Sequence, residues 1–233
     1  MHTFDFLDTN KPLYCALLDV IARGTARILS ADASGVFLQD TVSGVYMLAS
    51  ATSGAGIRMM DAHPDEPVTV FTCYDPAIVD HAGQVYHLTR NTPCLQAVWL
   101  RPDMPAADDR LTITPARPDD LPFVSARYKL LDTEELAEVI REGKLFLAYA
   151  ADDCIGFIGE HLEGSMGLLE ILPDFRRKGY GRALEIFMIR HHLQASRTPY
   201  CHVICGNDAS LALQENLGMT ICPEKVYWCF RGE

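Results

Sequence analysis

The sequence predicts an α/β protein of the α+β kind, with a mixed central sheet flanked by helices and a smaller α/β domain ahead of it. Three observations carry this. Short apolar runs of strand length recur along the chain, and helical spacing fills the intervals between them. The third is one junction, residues 168–184, where an apolar run ends at Pro173, three cationic side chains and a Gly-x-Gly follow, and a helical pattern begins.

Taken in order, Leu13, Leu17, Leu18, Ile21 and Ile28 recur at helical spacing, so a helix is predicted over 11–30 with Gly24 as its weak point. Residues 35–39 and 45–49 read as strands joined in a hairpin by Thr41-Val42-Ser43-Gly44. A helix is expected over 52–62 and a strand over 68–73. Asp75-Pro76 supplies a cap and a first-turn proline for a short helix ending at His81. Residues 85–88 and 96–100 read as strands. Residues 101–110, Arg-Pro-Asp-Met-Pro-Ala-Ala-Asp-Asp-Arg, have linker composition, which divides the chain into domains 1–100 and 111–233.

In the second domain a strand over 111–114 precedes a helix from Pro118. Asp132 with Glu135 three residues on reads as a capping box for a helix stopped by Gly143. Strands follow over 145–150 and 155–162, then the strand that enters the basic turn. Beyond the long helix come a strand over 200–205, a helix over 208–217 and two closing strands, 219–222 and 226–230.

The basic turn is read as an anion cradle. Glycines let a backbone approach closely, consecutive N–H groups point outward, and a helix N-terminus favours negative charge. Arg176, Arg177, Lys178 and Arg182 add a local basic patch. The dinucleotide fingerprint would need a third glycine where Leu184 stands, and a nucleotide P-loop would need Gly-Lys-Ser/Thr, which is absent.

Composition narrows the classes. Of 233 residues 48% are hydrophobic and 22% charged, as in globular proteins, and the formal net charge of −11 argues against nucleic acid or an anionic membrane as partner. No apolar stretch reaches membrane-span length, and the start carries no basic secretory signature, so a cytoplasmic protein is expected. The eight cysteines are scattered without C-x-x-C, which predicts reduced, mostly buried thiols and no metal site. His191 and His192 are adjacent on a helix and point apart, one packed and one exposed.

Arg176-x-x-Gly179-x-Gly181, preceded by Ile171-x-Pro173-x-Phe175, resembles the pyrophosphate-binding signature of the GCN5-related N-acetyltransferase (GNAT) superfamily. The likeness extends over roughly residues 111–230. Pro199-Tyr200-x-x-Val203-x-x-x-Asn207-x-x-Ser210-Leu211-x-Leu213-Gln214-x-x-Leu217-Gly218-Met219, with Val226-Tyr227-Trp228-Cys229, resembles the glycine N-acyltransferase-like branch. The first domain resembles the degenerate GNAT-like half such proteins carry.

The resemblance implies acetyl-CoA, or another acyl-CoA, as co-substrate and no metal. Main-chain groups around Leu169 and Ile171 would meet pantetheine. The amides from Arg177 through Lys178, Gly179, Tyr180 and Gly181 to Arg182 would hold the pyrophosphate beside Arg176. Asn207 and Ser210 would hold the CoA arm, although Asn207 also reads as a helix cap. A small-molecule amine or amino acid would then attack the thioester directly, in a monomer or homodimer.

The sequence departs from the family at two positions. Gln214 stands where many members have a tyrosine acid, and Ser165 stands at a frequent base position. Glu170 is therefore the first candidate base, with a strand charge paired to an arginine as its plainer reading. His202 is the second, with a hydrogen-bonded core histidine as the alternative. A non-catalytic acyl-CoA-binding or sensing protein is the competing function, and a CoA-unrelated nucleotide binder is a third.

Overall fold

The structure is a computed structural model and describes residues 4–232. The chain forms two compact units. Residues 4–98, 202–211 and 220–232 make the first, and residues 99–201 and 212–219 make the second.

The first unit opens with α1 (Cys15–Ala22), shorter than the helix expected over 11–30. Gly24 takes a left-handed φ of 74° and turns the chain into β1 (Ala26–Asp32), so Ile28 lies on a strand. β1 pairs antiparallel with β2 (Gly35–Asp40), which pairs antiparallel with β3 (Tyr46–Ser50) through the expected hairpin. Thr52 caps α2 (Ser53–Asp61) by accepting from Ala55 N at 3.2 Å. β4 (Val70–Cys73) then runs parallel to β3.

Asp75 caps α3 (Pro76–Tyr86), accepting from Ala77 N at 2.8 Å. This helix continues to Tyr86, so the strand expected over 85–88 is absent there. Ile78, Ala82 and Tyr86, each four residues apart, are all buried and outweigh the β-branched local sequence. β5 (Arg90–Val98) follows. Phe37, Tyr46, Leu48, Met60 and Phe71 meet Ile78 and Tyr86 in this unit's core.

In the second unit β6 (Thr112–Pro115) pairs with β7 (Leu145–Ala150), β7 with β8 (Asp153–Glu160) and β8 with β9 (Met166–Ile171), all antiparallel. Between β6 and β7 lie α4 (Leu121–Ser125) and α5 (Thr133–Arg141). The capping box of α5 is present: Asp132 Oδ1 accepts from the amides of Glu134 and Glu135 at 2.8 Å each, and Glu135 accepts from Asp132 N at 2.9 Å. Val124, Leu136, Val139 and Ile140 pack with Leu145, Leu147, Phe157 and Leu168. α6 (Tyr180–Gln194) is the crossover that lets β10 (Tyr200–Ile204) start parallel to β9, with Cys201 opposite Met166. α7 (Asp208–Leu217) comes next.

The chain ends in β11 (Thr220–Phe230), one strand where two were expected. It lies between β4 and β5 of the first unit, with Tyr227 opposite both Cys73 and Pro93. Its register against β5 breaks between Ile221 and Lys225, around Pro223, which has no N–H to give a ladder. All eight cysteines are free thiols. Among the described residues no helix is long and apolar enough to cross a membrane.

Candidate functional site

β9 is irregular where it matters. Glu170 pairs with Phe157 and Gly167 with Gly159, so β9 holds one residue more than β8 across that interval. Leu168, at φ 51°, takes up the extra residue, and such a bulge re-aims the backbone that follows it. Gly156 makes the pairing possible. A Cβ there would lie 2.0 Å from the carbonyl oxygen of Glu170, and its φ of 152° favours glycine.

The turn after β9 has the geometry of an anion cradle. Arg177 adopts a left-handed φ of 60°, uncommon for a side-chain-bearing residue, and Gly179, at φ 84°, is the N-cap of α6. A glycine cap has no side chain to satisfy the first helical amides, so Tyr180, Gly181 and Arg182 begin the helix without side-chain capping. Gly181 faces Leu169, Ile171 and Leu213, each 3.9–4.0 Å from where its Cβ would be. Leu169 and Ile171 thus look toward α6. Arg176, Arg177, Lys178 and Arg182 are exposed around the turn.

Arg110 joins this basic surround, and sequence reasoning missed it because it reads as the last residue of a linker. Its guanidinium lies over the Tyr180 ring, 5.4 Å from the centroid, and its Nη2 would be 3.7 Å from a Cβ on Gly179. Asp108 anchors it at 2.6 Å, and that bond pulls the Asp108 carboxyl down to about 2. Residues 101–110 are further fastened by Arg190 Nη1, which donates to Pro105 O at 2.6 Å.

Glu170 alternates to the strand face opposite Leu169 and Ile171. There it receives Arg176 Nη2 at 2.9 Å, while Arg176 Nε donates to Ile171 O at 2.8 Å. With Arg127 and Pro173 the pair lines a cleft of about 450 Å³. Arg176 thereby ties the turn back onto the end of β9.

The positions where the family resemblance implies a base and an acid are both turned inward. Ser165 is buried and donates its hydroxyl to Glu163. Gln214 is 1% exposed and donates through Nε2 to Glu185 Oε1 at 2.9 Å. Glu160, at the end of β8, is buried among Lys144, His192 Nε2 at 2.8 Å and Arg197 Nη1 at 2.6 Å. Burial alone would push its pKa up, but these three partners together hold it well below the ordinary carboxylate range. His192 is buried and His191 exposed, as the spacing predicts.

His202, Asn207 and Ser210 fall in the first unit. Gln96 fixes the state of His202. Its Nε2 donates to Pro12 O and Leu13 O at 2.5 and 2.8 Å, so its Oε1 must accept from His202 Nε2, 2.9 Å away. Trp228 Nε1 donates to His202 Nδ1 at 3.3 Å. The ring is therefore the neutral Nε2–H tautomer, engaged on both nitrogens. Asn207 Oδ1 accepts from Ser210 N at 3.1 Å, which makes Asn207 the cap of α7.

The FR47-like protein family matches residues 148–229, a segment that includes the bulge, the turn and α7. Comparison with curated protein sequences finds no match. Among solved structures, a Drosophila protein aligns at 15% identity and TM-score 0.67, covering 98% of this chain and 95% of that one. A GCN5-related N-acetyltransferase-like protein from Streptococcus suis aligns at 11% identity and TM-score 0.55, covering 98% and 97%. An acetyltransferase of the GNAT family from Colwellia psychrerythraea aligns at 12% identity and TM-score 0.52, covering 99% and 98%. The chain shares the mixed α/β fold of these structures, the Streptococcus and Colwellia ones being GNAT acetyltransferases or like them by name.

Proposed function

We propose that the chain is an acyl-CoA-dependent N-acyltransferase, with acetyl-CoA as donor and the primary amine of a small molecule or amino acid as acceptor. The observation that carries this reading is the α6 N-terminus. Its first amides have no side-chain cap, its entry needs two left-handed residues, and five cationic side chains surround it. A site with that charge and backbone shape suits a pyrophosphate.

In this reading the amides from Arg177 to Arg182 hold the pyrophosphate, and Arg177, Lys178, Arg182 and Arg110 balance its charge. Main-chain groups of Leu169 and Ile171, re-aimed by the bulge at Leu168, meet the pantetheine amides. The bound acyl-CoA supplies an activated acyl group. The chain's own contribution is to position both reactants and to accept the proton that the attacking amine loses. Glu170 is the proposed base; it lies on the face of β9 opposite Leu169 and Ile171, so it takes the proton through a relaying water.

A non-catalytic acyl-CoA binder is the second reading, favoured by one observation: Ser165 and Gln214 are both buried and hydrogen-bonded inward. Thiol release from acetyl-CoA across a panel of amines separates the two. Amine-dependent release supports the transferase. Saturable acetyl-CoA binding without release for any amine supports the binder.

A further inference from the structure

Glu185 is a carboxyl group in the wrong place for an ion. It sits on α6, is 5% exposed, and makes no salt bridge among the described residues. Among the described residues its one hydrogen bond is from Gln214 Nε2 on α7. That leaves two buried oxygens with no donor, Glu185 Oε2 and Gln214 Oε1. Both residues belong to the second unit.

Two orphaned acceptors on one hydrogen-bonded pair have a simple joint solution. A proton on Glu185 Oε2 can be donated to Gln214 Oε1, closing a ring of two hydrogen bonds between a carboxylic acid and an amide. Every polar atom of the pair is then satisfied. A carboxylate in its place would be an unpaired buried charge facing a carbonyl oxygen, which costs far more than a neutral acid.

We propose that Glu185 and Gln214 form a neutral acid–amide pair that pins α7 to α6, and that removing its proton unlocks the two helices. The surrounding charges give the ion no refuge. On α6 itself, Arg182 and Arg190 do not bond to Glu185, and Arg190 is held by Pro105 O. Among its neighbours in sequence and packing, Glu160 of β8 is occupied by Lys144, His192 and Arg197, and Glu170 of β9 by Arg176. Glu215 of α7 and His191 of α6 make no ion pair with it. Burial accordingly raises the Glu185 carboxyl to about 7, against the smaller opposing effect of the Gln214 bond. The pair also fits a glutamine at position 214: an amide gives from its nitrogen and accepts at its oxygen, two atoms spaced to face the two carboxyl oxygens, whereas a tyrosine offers one hydroxyl oxygen for both roles. Neither the pair nor its titration depends on which ligand the cradle takes.

The test is a pH titration of the full chain with ¹³C-labelled glutamate carboxyls, read by NMR. One glutamate should titrate near pH 7, and its signal should vanish in Glu185→Gln, or in Glu185→Met should the first variant not fold. Hydrogen exchange of amides 212–217, corrected for intrinsic rate, should quicken several-fold as the wild type passes through pH 7. It should stay level in Glu185→Gln, whose amide can accept from and donate to Gln214 at every pH. If every glutamate titrates below about pH 5.5, or exchange in α7 ignores the pH, the proposal is overturned.

Discussion

Arg176 Nη2 lies 2.9 Å from Glu170 Oε1, while the same guanidinium donates through Nε to Ile171 O. One side chain thus joins the basic turn, the end of β9 and the proposed base. The pair is partly exposed, so its contribution to stability is small. Its consequence is positional: Glu170 is held on the strand face away from Leu169 and Ile171.

Glu170→Gln tests the role of this carboxylate. It keeps one oxygen for Arg176 and removes the proton acceptor. The expected result is a fall in kcat/KM of at least about tenfold, less than a full loss of a base because water can relay. Stabilisation by acetyl-CoA should persist. Unaltered activity across pH 6–9 would make the residue structural.

Arg110→Ala addresses the cation that joined the site from the 101–110 segment. Removing a partly solvated charge beside an anion should weaken acetyl-CoA binding by about three- to tenfold, and added salt should shrink the difference. Titration calorimetry at two ionic strengths reads both effects. Equal affinity for variant and wild type at low salt would remove Arg110 from the cradle.

Glu160 sets the acid limit of the second unit. Its carboxyl titrates lower in the folded chain than the ordinary 4.5, so the stability it contributes is present above that pH. It is lost as pH falls below that value. Glu160→Gln leaves Lys144, His192 and Arg197 facing a neutral group, and should cost about 3–5 kcal/mol in urea unfolding at pH 7. The variant should also show a flatter loss of stability below pH 4.5. A loss under 1 kcal/mol at pH 7 would show that the three cations are solvated without it.

The parts of this fold legible in the sequence are those that local chemistry decides. Asp132 with Glu135, Asp75 with Pro76, and Thr41 to Gly44 each fix a cap or turn within a few residues, and each stands where the pattern puts it. The strand–turn–helix at 168–184 was legible for the same reason. What failed to show depended on distant partners. Val85 and Tyr86 look strand-like until Tyr86 is seen packing with Ile78 and Ala82. Residues 219–230 look like two strands because Pro223 interrupts them, yet β4 and β5 hold them as one. Arg110 carries no signal for its stacking on Tyr180. Glu185 was hidden because a charged residue within a helical pattern reads as solvent-facing, and only Gln214 beside it makes burial tolerable.

Thermal unfolding with and without acetyl-CoA reads out whether the first turn of α6 binds the pyrophosphate of an acyl-CoA. A ligand that binds only the folded chain raises its stability, by about 2.7 kcal/mol at a hundredfold excess over Kd. Gly181 has room for a side chain, with no neighbour closer than 3.9 Å to its would-be Cβ, so Gly181→Asp should fold. It places a negative charge at the proposed anion site. Acetyl-CoA should raise the Tm of the wild type clearly and leave that of Gly181→Asp unmoved, each compared with its own ligand-free Tm. An equal rise in both proteins, or none in the wild type, would contradict pyrophosphate binding there.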